Sequence, residues 1–460
     1  MTETEQYDVV VLGAGSGGYA CALRAAELGL SVALVEKDRL GGTCLHVGCI
    51  PTKALLHAAE VADSAREAGR FGVRAQLDGI DLTAVKSYRD SVVGRLFKGL
   101  TGLVRSRGIT VVEGEGRLAG PDTVVVGARS LVGRHVVLAS GSSARSLPGL
   151  EVDGVRVLTS DHALELDEVP GSAIVVGGGA IGCEFASVWT SFGADVTIVE
   201  VLPRLVPGED EDSSAALARR FRKRGIGVRL GVAFTAVETT PEGVRMTLAD
   251  GEVLEADLVL AAVGRAPRTD GLGYAEAGIE LDGACVKVDE RCRTSLPGVF
   301  AVGDITPGPQ LAHKGFQQGI FVAEEIAGLD PEVVPHELVP RVTYSEPEVA
   351  SVGISEATAA QRHGADQVET VTYDLAGNGR SQILGTQGFV KVVRRKDGPV
   401  VGVHVVGSRA GELMGEAQLI VGWDAVPEDV APFVHAHPTQ GEAVGEAMMA
   451  LAGKPLHVHG

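Results

Sequence analysis

Residues 7–18 have the sequence YDVVVLGAGSGG, in which an apolar strand leads into the glycine pattern G-x-G-x-x-G. A helical pattern follows over residues 20–28, and a second predicted strand, Ser31–Val35, ends in Glu36. In such a unit the first glycine allows a tight turn and the second lets backbone N–H groups approach a pyrophosphate. The third permits close helix–strand packing, and the terminal carboxylate accepts hydrogen bonds from a ribose. The segment therefore predicts a dinucleotide-binding fold.

A second copy of this pattern occurs in the middle of the chain. Residues 172–182 have the sequence SAIVVGGGAIG, and a later predicted strand, Asp195–Val199, ends in Glu200. In both copies the glutamate lies 23 residues after the first glycine. One glycine pattern alone would also fit an ordinary glycine-rich turn. Two copies, each with strand, helix and carboxylate in order, predict two nucleotide-binding domains.

Two cysteines five positions apart follow the first copy, in the sequence GGTCLHVGCIPTK of residues 41–53. Nothing nearby indicates secretion, so a lasting structural disulfide between Cys44 and Cys49 is not expected. A reversible dithiol fits better, and beside a nucleotide-binding turn it indicates electron transfer between sulfur and a bound cofactor. We therefore expect a flavin in the first copy and a nicotinamide dinucleotide in the second.

The identity of the nicotinamide dinucleotide depends on Glu200. A carboxylate at this position would repel a 2′-phosphate, so NAD is favoured over NADP. Arg204 lies four residues further on and keeps NADP open as an alternative.

Bulk properties exclude several classes of function. The 460 residues are enough for about three domains, 45% of them are apolar, and the formal net charge is −19. Such acidity argues against nucleic-acid binding, and no apolar run is long enough to span a membrane. The acidic first residues, MTETEQY, run into a predicted strand and do not form a signal peptide. We expect a cytoplasmic protein without a membrane or metal site.

After about residue 340 the pattern changes to alternating strands followed by two helical stretches, 411–422 and 441–452. The predicted strands are Val349–Val352, Gln367–Tyr373, Gly388–Arg394 and Val400–Val405. The predicted fold class is α/β, with two Rossmann-like dinucleotide-binding domains and a C-terminal α+β domain.

Taken together, the motifs resemble those of the pyridine nucleotide–disulfide oxidoreductases, and the resemblance covers essentially the whole chain. Besides the two glycine patterns and the cysteine pair, it rests on these segments: Cys49-Ile50-Pro51-Thr52-Lys53, Ala301-Val302-Gly303-Asp304, Leu311-Ala312-His313-Lys314 and His435-Ala436-His437-Pro438-Thr439-x-x-Glu442.

The resemblance implies a domain order. An FAD-binding domain would be built from residues 1–145 and 271–340, with an NAD-binding domain, 146–270, inserted between them. Residues 341–460 would form a C-terminal dimerisation (interface) domain, so the protein would be a homodimer.

The resemblance also implies which residues bind the cofactors, FAD (one per subunit) and NAD. Asp304 would bond the ribityl chain of FAD, Ala312 would lie along the isoalloxazine, and Gly264 would lie beside NAD. The FAD residues would be Gly13, Gly15, Gly18, Glu36, Lys37, Gly42, Thr43, Lys53, Gly116, Ser140, Gly141, Asp304, Leu311, Ala312 and His313. The NAD residues would be Gly177, Gly179, Ala180, Ile181, Gly182, Glu184, Glu200 and Gly264.

The catalytic residues implied by the resemblance begin with the cysteines. Cys44 would be the exposed interchange thiol, and Cys49 would lie under the flavin near a helix N-terminus, which lowers a thiol pKa. Lys53, four residues after Cys49, would share its helix face and stabilise the thiolate; a solvated surface lysine is the alternative. Glu184 would be the ion-pair partner of Lys53.

His437 is the implied general acid/base, because imidazole titrates near pH ~6.5. Glu442 would hold its ring and fix its tautomer. Both residues would act on the disulfide of the other protomer, so the dimer would be the catalytic unit.

The implied reaction reoxidises protein-bound dihydrolipoamide to lipoamide and reduces NAD⁺ to NADH. The partners would be lipoyl domains and the acyltransferase core of 2-oxoacid dehydrogenase complexes, or the glycine-cleavage lipoyl protein. Alternatives are a related flavin disulfide reductase, an NAD(P)H diaphorase or quinone reductase, and a scaffold subunit without activity. A mercuric reductase is disfavoured because no cysteine follows Cys292.

The chain departs from the family pattern at a few positions. His46 and Thr52 replace the more usual Asn and Ser, and Gln440-Gly441 replaces a pair such as Leu-Ser. None of these changes removes a reacting group.

Overall fold

Strands and helices alternate along most of the chain in the computed structural model, which describes residues 3–457. In chain order the strands are β1 (Glu3–Leu12), β2 (Val32–Glu36), β3 (Thr110–Glu113), β4 (Gly116–Leu118), β5 (Thr123–Val126), β6 (Arg129–Leu138), β7 (Ser142–Ala144), β8 (Val157–Leu158), β9 (Ser172–Val176), β10 (Asp195–Glu200), β11 (Gly227–Leu230), β12 (Phe234–Thr239), β13 (Val244–Leu248), β14 (Val253–Ala256), β15 (Leu258–Ala261), β16 (Arg265–Pro267), β17 (Leu281–Asp282), β18 (Cys285–Val286), β19 (Val299–Ala301), β20 (Arg341–Thr343), β21 (Glu348–Gly353), β22 (Val368–Asp374), β23 (Phe389–Arg395) and β24 (Val400–Gly407). The α-helices are α1 (Ser16–Glu27), α2 (Gly42–His46), α3 (Cys49–Glu67), α4 (Leu82–Ser106), α5 (Ser160–Ala163), α6 (Ala180–Phe192), α7 (Glu211–Lys223), α8 (Ala312–Ile326), α9 (Glu356–His363), α10 (Gly379–Leu384), α11 (Met414–Gly422), α12 (Pro427–Val430) and α13 (Glu442–Leu451).

The chain divides into two compact units. The first unit consists of Met1–Ala54, Thr83–Arg145 and Arg265–His336. The second unit consists of Leu55–Leu82, Ser146–Gly264 and Glu337–Gly460. The four domain segments expected from the sequence stay a prediction.

The first unit is built on a seven-stranded sheet with the order β3-β2-β1-β6-β5-β4, and β19 pairs with β6. Strands β1, β2, β3, β6 and β19 are parallel to one another. Val9 and Val11 of β1 belong to one apolar core, and Val10 and Leu12 belong to another. Because successive side chains of a strand point to opposite faces, β1 is buried on both sides. This arrangement places the first glycine motif at the carboxyl end of a central parallel strand.

Two elements of the first unit begin earlier than the sequence pattern predicts. Helix α1 begins at Ser16 rather than at residue 20, because Gly18 lets the helix pack directly against the turn that precedes it. The mostly apolar segment His135–Leu138 predicts a short strand, but β6 begins already at Arg129, because it pairs along its length with β1 and also with β5. The sequence pattern alone did not reveal that antiparallel partner.

The second unit contains a five-stranded parallel sheet with the order β11-β10-β9-β15-β8. Helix α6 follows β9 and is buried along nearly its whole length, including Phe185 and Trp189. An antiparallel sheet, β12-β13-β14, packs beside this core. The second glycine motif therefore has the same strand–turn–helix setting as the first.

The C-terminal part of the second unit contains an antiparallel sheet with the order β20-β21-β24-β23-β22. Helices α11 and α13 contribute Met414, Ala417, Val444 and Met448 to its core. The predicted fold class, α/β with a C-terminal α+β part, is confirmed. No helix among residues 3–457 is long and apolar enough to cross a membrane.

Candidate active site

The glycines of the first motif have three different roles. Gly13 has a φ of +104°, and a Cβ added there would lie 2.3 Å from the carbonyl oxygen of Ala139. A Cβ on Gly18 would lie 1.8 Å from the carbonyl oxygen of Gly13. A Cβ on Gly15 would meet nothing within 4 Å. The first and third glycines are thus fixed by packing, whereas the second leaves open space at the N-terminus of α1, where an anion binds best.

The carboxylate of Glu36, at the end of β2, accepts hydrogen bonds from the backbone, one of them within the first glycine motif. Its Oε2 accepts a hydrogen bond of 2.8 Å from the Ala14 N–H, and its Oε1 accepts one of 2.9 Å from the Asp38 N–H. A carboxylate has about four lone-pair sites, so Glu36 can bond the glycine motif and still accept hydrogen bonds from a ribose.

A cleft of about 400 Å³ opens over this motif within the first unit. That volume lies within the usual range for small-molecule sites, about 300–1,000 Å³. Many of the predicted FAD residues line it: Gly13, Gly15, Glu36, Lys37, Gly42, Thr43, Gly116, Ser140 and Gly141.

Further residues line this cleft and were not predicted from the sequence. Pro267, Arg268, Asp270 and Leu272 also face the cleft. In the sequence, only Gly264-Arg265 and Pro267 could have indicated that this segment reaches the cleft. Strand β16 pairs antiparallel with β7, and this long-range pairing returns the segment to the first unit.

Several predicted cofactor residues lie outside the lining of this cleft. Asp304 accepts a hydrogen bond of 2.5 Å from the Ser142 hydroxyl, which in turn accepts one of 2.7 Å from Arg265 Nε. Leu311, Ala312 and His313 form the beginning of α8, with Leu311 as its N-cap. Their predicted contacts with FAD stay predictions.

Cys44 and Cys49 are not joined by a disulfide in this structure. Cys44 lies in α2, and Cys49 is the first residue of the 19-residue helix α3. The hydrogen bond between the two side chains and the burial of the site hold the pKa of Cys44 above its ordinary value, while the nearby Lys53 ammonium acts in the opposite direction. A helix N-terminus favours a thiolate at Cys49. The pair can therefore share one proton, with Cys44 as the thiol.

Tyr19 is a further residue near the dithiol that sequence analysis did not identify. Burial, followed by the electrostatic effect of the nearby cysteine pair, raises the pKa of Tyr19 to about 12. Its hydroxyl therefore stays protonated at neutral pH.

Among residues 3–457, no group of three or more His, Cys, Asp or Glu side chains could hold a metal ion.

The second glycine motif repeats the geometry of the first. Gly177 has a φ of +110°, and its added Cβ would lie 2.3 Å from the carbonyl oxygen of Ala262. The Cβ of Gly182 would lie 2.0 Å from the Gly177 carbonyl oxygen, and that of Gly179 would meet nothing within 4 Å. Ala180 and Ile181 form the first residues of α6. The open position at Gly179 fits the pyrophosphate of a second dinucleotide.

Glu200 is held in the same way as Glu36, but more tightly. Its Oε2 accepts a hydrogen bond of 2.6 Å from the Gly178 N–H, and its Oε1 accepts one of 2.7 Å from the Leu202 N–H. Arg204 donates to Glu211 at 2.7 Å and to the Pro207 carbonyl oxygen at 2.9 Å. Its guanidinium is thus engaged in other contacts, which weakens the case for NADP.

Glu184 lies on α6 and is only 3% exposed. Its Oε1 accepts a hydrogen bond of 3.0 Å from the Tyr344 N–H. The predicted ion pair between Lys53 and Glu184 stays a prediction. Gly264, the last residue of its segment of the second unit, has a φ of +99°.

His437 and Glu442 form a hydrogen-bonded pair in the second unit. His437 Nδ1 lies 2.8 Å from Glu442 Oε1, and the Thr439 N–H donates to Glu442 Oε2 at 2.7 Å. Burial alone would raise the pKa of Glu442, but the hydrogen bonds from Thr439 and His437 outweigh it, so the pKa is lowered. With Nδ1–H donated to the carboxylate, Nε2 is the ring nitrogen that can accept a proton.

Residues 7–319 match the family described as pyridine nucleotide-disulphide oxidoreductase, and residues 339–448 match its dimerisation domain. The chain belongs to this family, which confirms the resemblance seen in the sequence.

Several of the proteins that resemble this chain are dihydrolipoyl dehydrogenases. The chain is 39% identical to a dihydrolipoyl dehydrogenase of Bacillus subtilis, over 98% of this chain and 99% of that protein. It is 38% identical to the mitochondrial dihydrolipoyl dehydrogenase of Pisum sativum, over 99% of this chain and 93% of that protein. The crystal structure of LpdA from Mycobacterium tuberculosis superposes with a TM-score of 0.90 at 27% identity, covering 98% of this chain and 99% of LpdA.

Proposed function

We propose that this chain is a dihydrolipoyl dehydrogenase, which oxidises protein-bound dihydrolipoamide to lipoamide and reduces NAD⁺ to NADH. One observation carries the proposal: the hydrogen-bonded pair Cys44 and Cys49 directly follows Gly42 and Thr43, which line the cleft of the first unit. A dithiol is thus adjacent to a dinucleotide-shaped site. Identities of 38–39% to dihydrolipoyl dehydrogenases over nearly the full length support the choice of substrate.

The two glycine motifs fit two cofactors. The first unit binds FAD through Gly15 at the pyrophosphate, Glu36 at the ribose and Asp304 at the ribityl chain. The second motif binds NAD through Gly179 and Glu200. FAD, when bound, supplies the two-electron relay between the dithiol and NAD⁺.

The substrate reaction is a thiol–disulfide exchange, which begins with Cys44 and Cys49 oxidised. His437 Nε2 takes a proton from one substrate thiol, and the resulting thiolate attacks the Cys44 sulfur. The Cys44–Cys49 bond breaks, and Cys49 leaves as a thiolate stabilised by Lys53 and the N-terminus of α3. The second substrate thiol then loses its proton to solvent and attacks the substrate sulfur of the mixed disulfide. Lipoamide leaves, and Cys44 takes the proton held by His437 and becomes a thiol.

The remaining predicted residues have supporting roles. Glu442 keeps the proton of His437 on Nδ1 and leaves Nε2 as the base. Glu184 is a further supporting residue of the proposed reaction. We assign residues 1–145 and 271–340 to FAD binding, 146–270 to NAD binding and 341–460 to dimerisation.

The protein is a homodimer in which each protomer contributes catalytic residues to the active site of the other. Large apolar side chains stand exposed near His437 in the sequence, among them Trp423 at 75%, Phe433 at 71% and Val434 at 97%. Contiguous exposed apolar surface marks interaction sites, and Phe433 and Val434 are adjacent in the chain. Their position in the dimerisation domain supports a catalytic unit in which His437 acts on the disulfide of the other protomer.

The partners follow from the substrate. Dihydrolipoamide is carried on lipoyl domains, so we place the enzyme in a 2-oxoacid dehydrogenase complex or beside the glycine-cleavage lipoyl protein. We place the enzyme in the cytoplasm, where thiols outside a catalytic pair stay reduced.

Purified protein tests the proposal directly. It should be yellow and should form NADH when given dihydrolipoamide and NAD⁺. A yellow protein that lacks this turnover, yet reduces small acceptors with NADH, would favour a diaphorase. A yellow protein without either activity would favour the scaffold role.

A further inference from the structure

A buried asparagine lies next to the turn that carries His437 and Glu442. Asn378 precedes α10 and is 3% exposed. Its Oδ1 accepts a hydrogen bond of 2.9 Å from the Ser381 N–H, and its Nδ2 donates one of 2.9 Å to the Thr439 carbonyl oxygen. One partner is a donor and the other an acceptor, so the orientation of the amide is fixed by its bonds.

Thr439 is held through both of its backbone polar groups. Its carbonyl oxygen accepts from Asn378, and its N–H donates to Glu442 Oε2 at 2.7 Å. The other oxygen of Glu442 is the partner of His437 Nδ1. A continuous chain of hydrogen bonds therefore runs from Asn378 through Thr439 and Glu442 to the imidazole.

The segment around Asn378 also lies beside the ring itself. A Cβ added to Gly379 would lie 3.9 Å from His437 Cε1. By contrast, the His437 side chain is 76% exposed, so little of the surrounding protein confines it. Its orientation depends on Glu442 and on the turn that positions Glu442.

We infer that Asn378 is a positioning residue for the acid–base pair, acting through the Thr439 backbone. The inference rests on the proposed function. Without the Nδ2 donor, the Thr439 carbonyl oxygen loses its partner, and the turn from His437 to Glu442 can rotate. A displacement of about 1 Å of a catalytic group can lower a rate about 100-fold.

Helix capping alone would also explain an asparagine at this position, because Asn378 is the N-cap of α10. Asp and Asn are similarly good N-caps. Asn378→Asp therefore keeps the oxygen that accepts from Ser381 but removes the donor to Thr439. If capping were the whole role, this variant would behave like the unchanged protein.

The test compares Asn378→Asp with Gln382→Ala in the full-length flavin-loaded enzyme. Gln382 is exposed, and its Nε2 donates to the Ala376 carbonyl oxygen at 2.9 Å, so this control removes a bond from the same segment that does not reach Thr439. Two activities are measured: dihydrolipoamide with NAD⁺, which needs His437, and NADH with ferricyanide, which bypasses the dithiol.

For Asn378→Asp we expect kcat with dihydrolipoamide to fall about 10- to 100-fold, with KM nearly unchanged. Ferricyanide reduction should be retained, and Gln382→Ala should keep both activities. Retention of dihydrolipoamide turnover within about twofold would overturn the inference, and so would an equal loss of both activities, because that outcome indicates a general structural role. If the unchanged protein reduces ferricyanide but does not oxidise dihydrolipoamide, the proposed function itself fails.

Discussion

Exchanging a carboxylate for an amide at Glu200 and, separately, at Glu36 should show which glycine motif binds which cofactor. We expect Glu200→Gln to weaken NAD binding while FAD is retained. We expect Glu36→Gln to weaken FAD binding while the KM for NAD⁺ in the reconstituted enzyme is nearly unchanged. The two variants are controls for each other, because both glutamates bond a glycine motif in the same way.

The magnitude follows from the hydrogen bonds. Glu200 accepts bonds of 2.6 and 2.7 Å from two backbone N–H groups. Glutamine keeps one acceptor oxygen but presents an NH₂ group to the other N–H. The side chain then also no longer offers a carboxylate to the ribose. The loss of that bond to a charged group is worth about 1.5–3 kcal/mol, which corresponds to a roughly 10- to 100-fold weaker affinity. The bonds of Glu36 are longer, 2.8 and 2.9 Å, so we expect the lower end of this range there.

Two assays measure the effects. The KM for NAD⁺ is determined at saturating dihydrolipoamide, and FAD affinity is determined by titrating FAD into apoprotein and following the quenching of flavin fluorescence. A KM for NAD⁺ that stays within about twofold in Glu200→Gln would refute the assignment of Glu200 to NAD. Effects of the two variants on the opposite cofactors would refute both assignments.

Two further predictions concern single side chains. Cys44→Ser should abolish dihydrolipoamide turnover while the protein keeps its flavin spectrum and its ferricyanide activity; undiminished turnover would remove Cys44 from the exchange reaction. His404 is fully buried with Nε2 at 3.1 Å from the Ile354 carbonyl oxygen, and burial lowers its pKa. Below pH ~6.5 the unfolded chain therefore binds a proton that the folded chain does not, and the free energy of unfolding falls by at most about 1.4 kcal/mol per pH unit. Denaturant unfolding at pH 6.5 and 5.5 should show a smaller loss for His404→Gln than for the unchanged protein, and equal losses would contradict this assignment.

Local geometry explains why much of the fold and the nucleotide sites could be predicted from the sequence. The first and third glycines of each motif are required by contacts within one strand–turn–helix unit, such as the approach of Gly18 to the Gly13 carbonyl oxygen. Glu36 and Glu200 end the strands that follow each motif. Their fixed distance from the first glycine therefore indicates the same strand–turn–helix–strand unit. These features depend on neighbours along the chain and are visible as a pattern.

Long-range pairings explain what the sequence did not reveal. Arg268 lines the first cleft because β16 pairs with β7, and Arg265 is separated from its partner Ser142 by 123 positions. The bond from Asn378 to Thr439 joins residues 61 positions apart. Neither contact produces a periodic pattern in the sequence, because the local structure of each segment forms without its distant partner.

In the proposed reaction the Cys49 sulfur would contact bound flavin, so that an electron pair can pass between them. Anaerobic titration with dihydrolipoamide, followed by absorbance, tests this contact most directly. We predict a new long-wavelength band from thiolate–flavin interaction while the flavin is still oxidised, and Cys49→Ser should lack this band. Bleaching of the flavin without such a band at any stage, or an unchanged spectrum, would contradict the account.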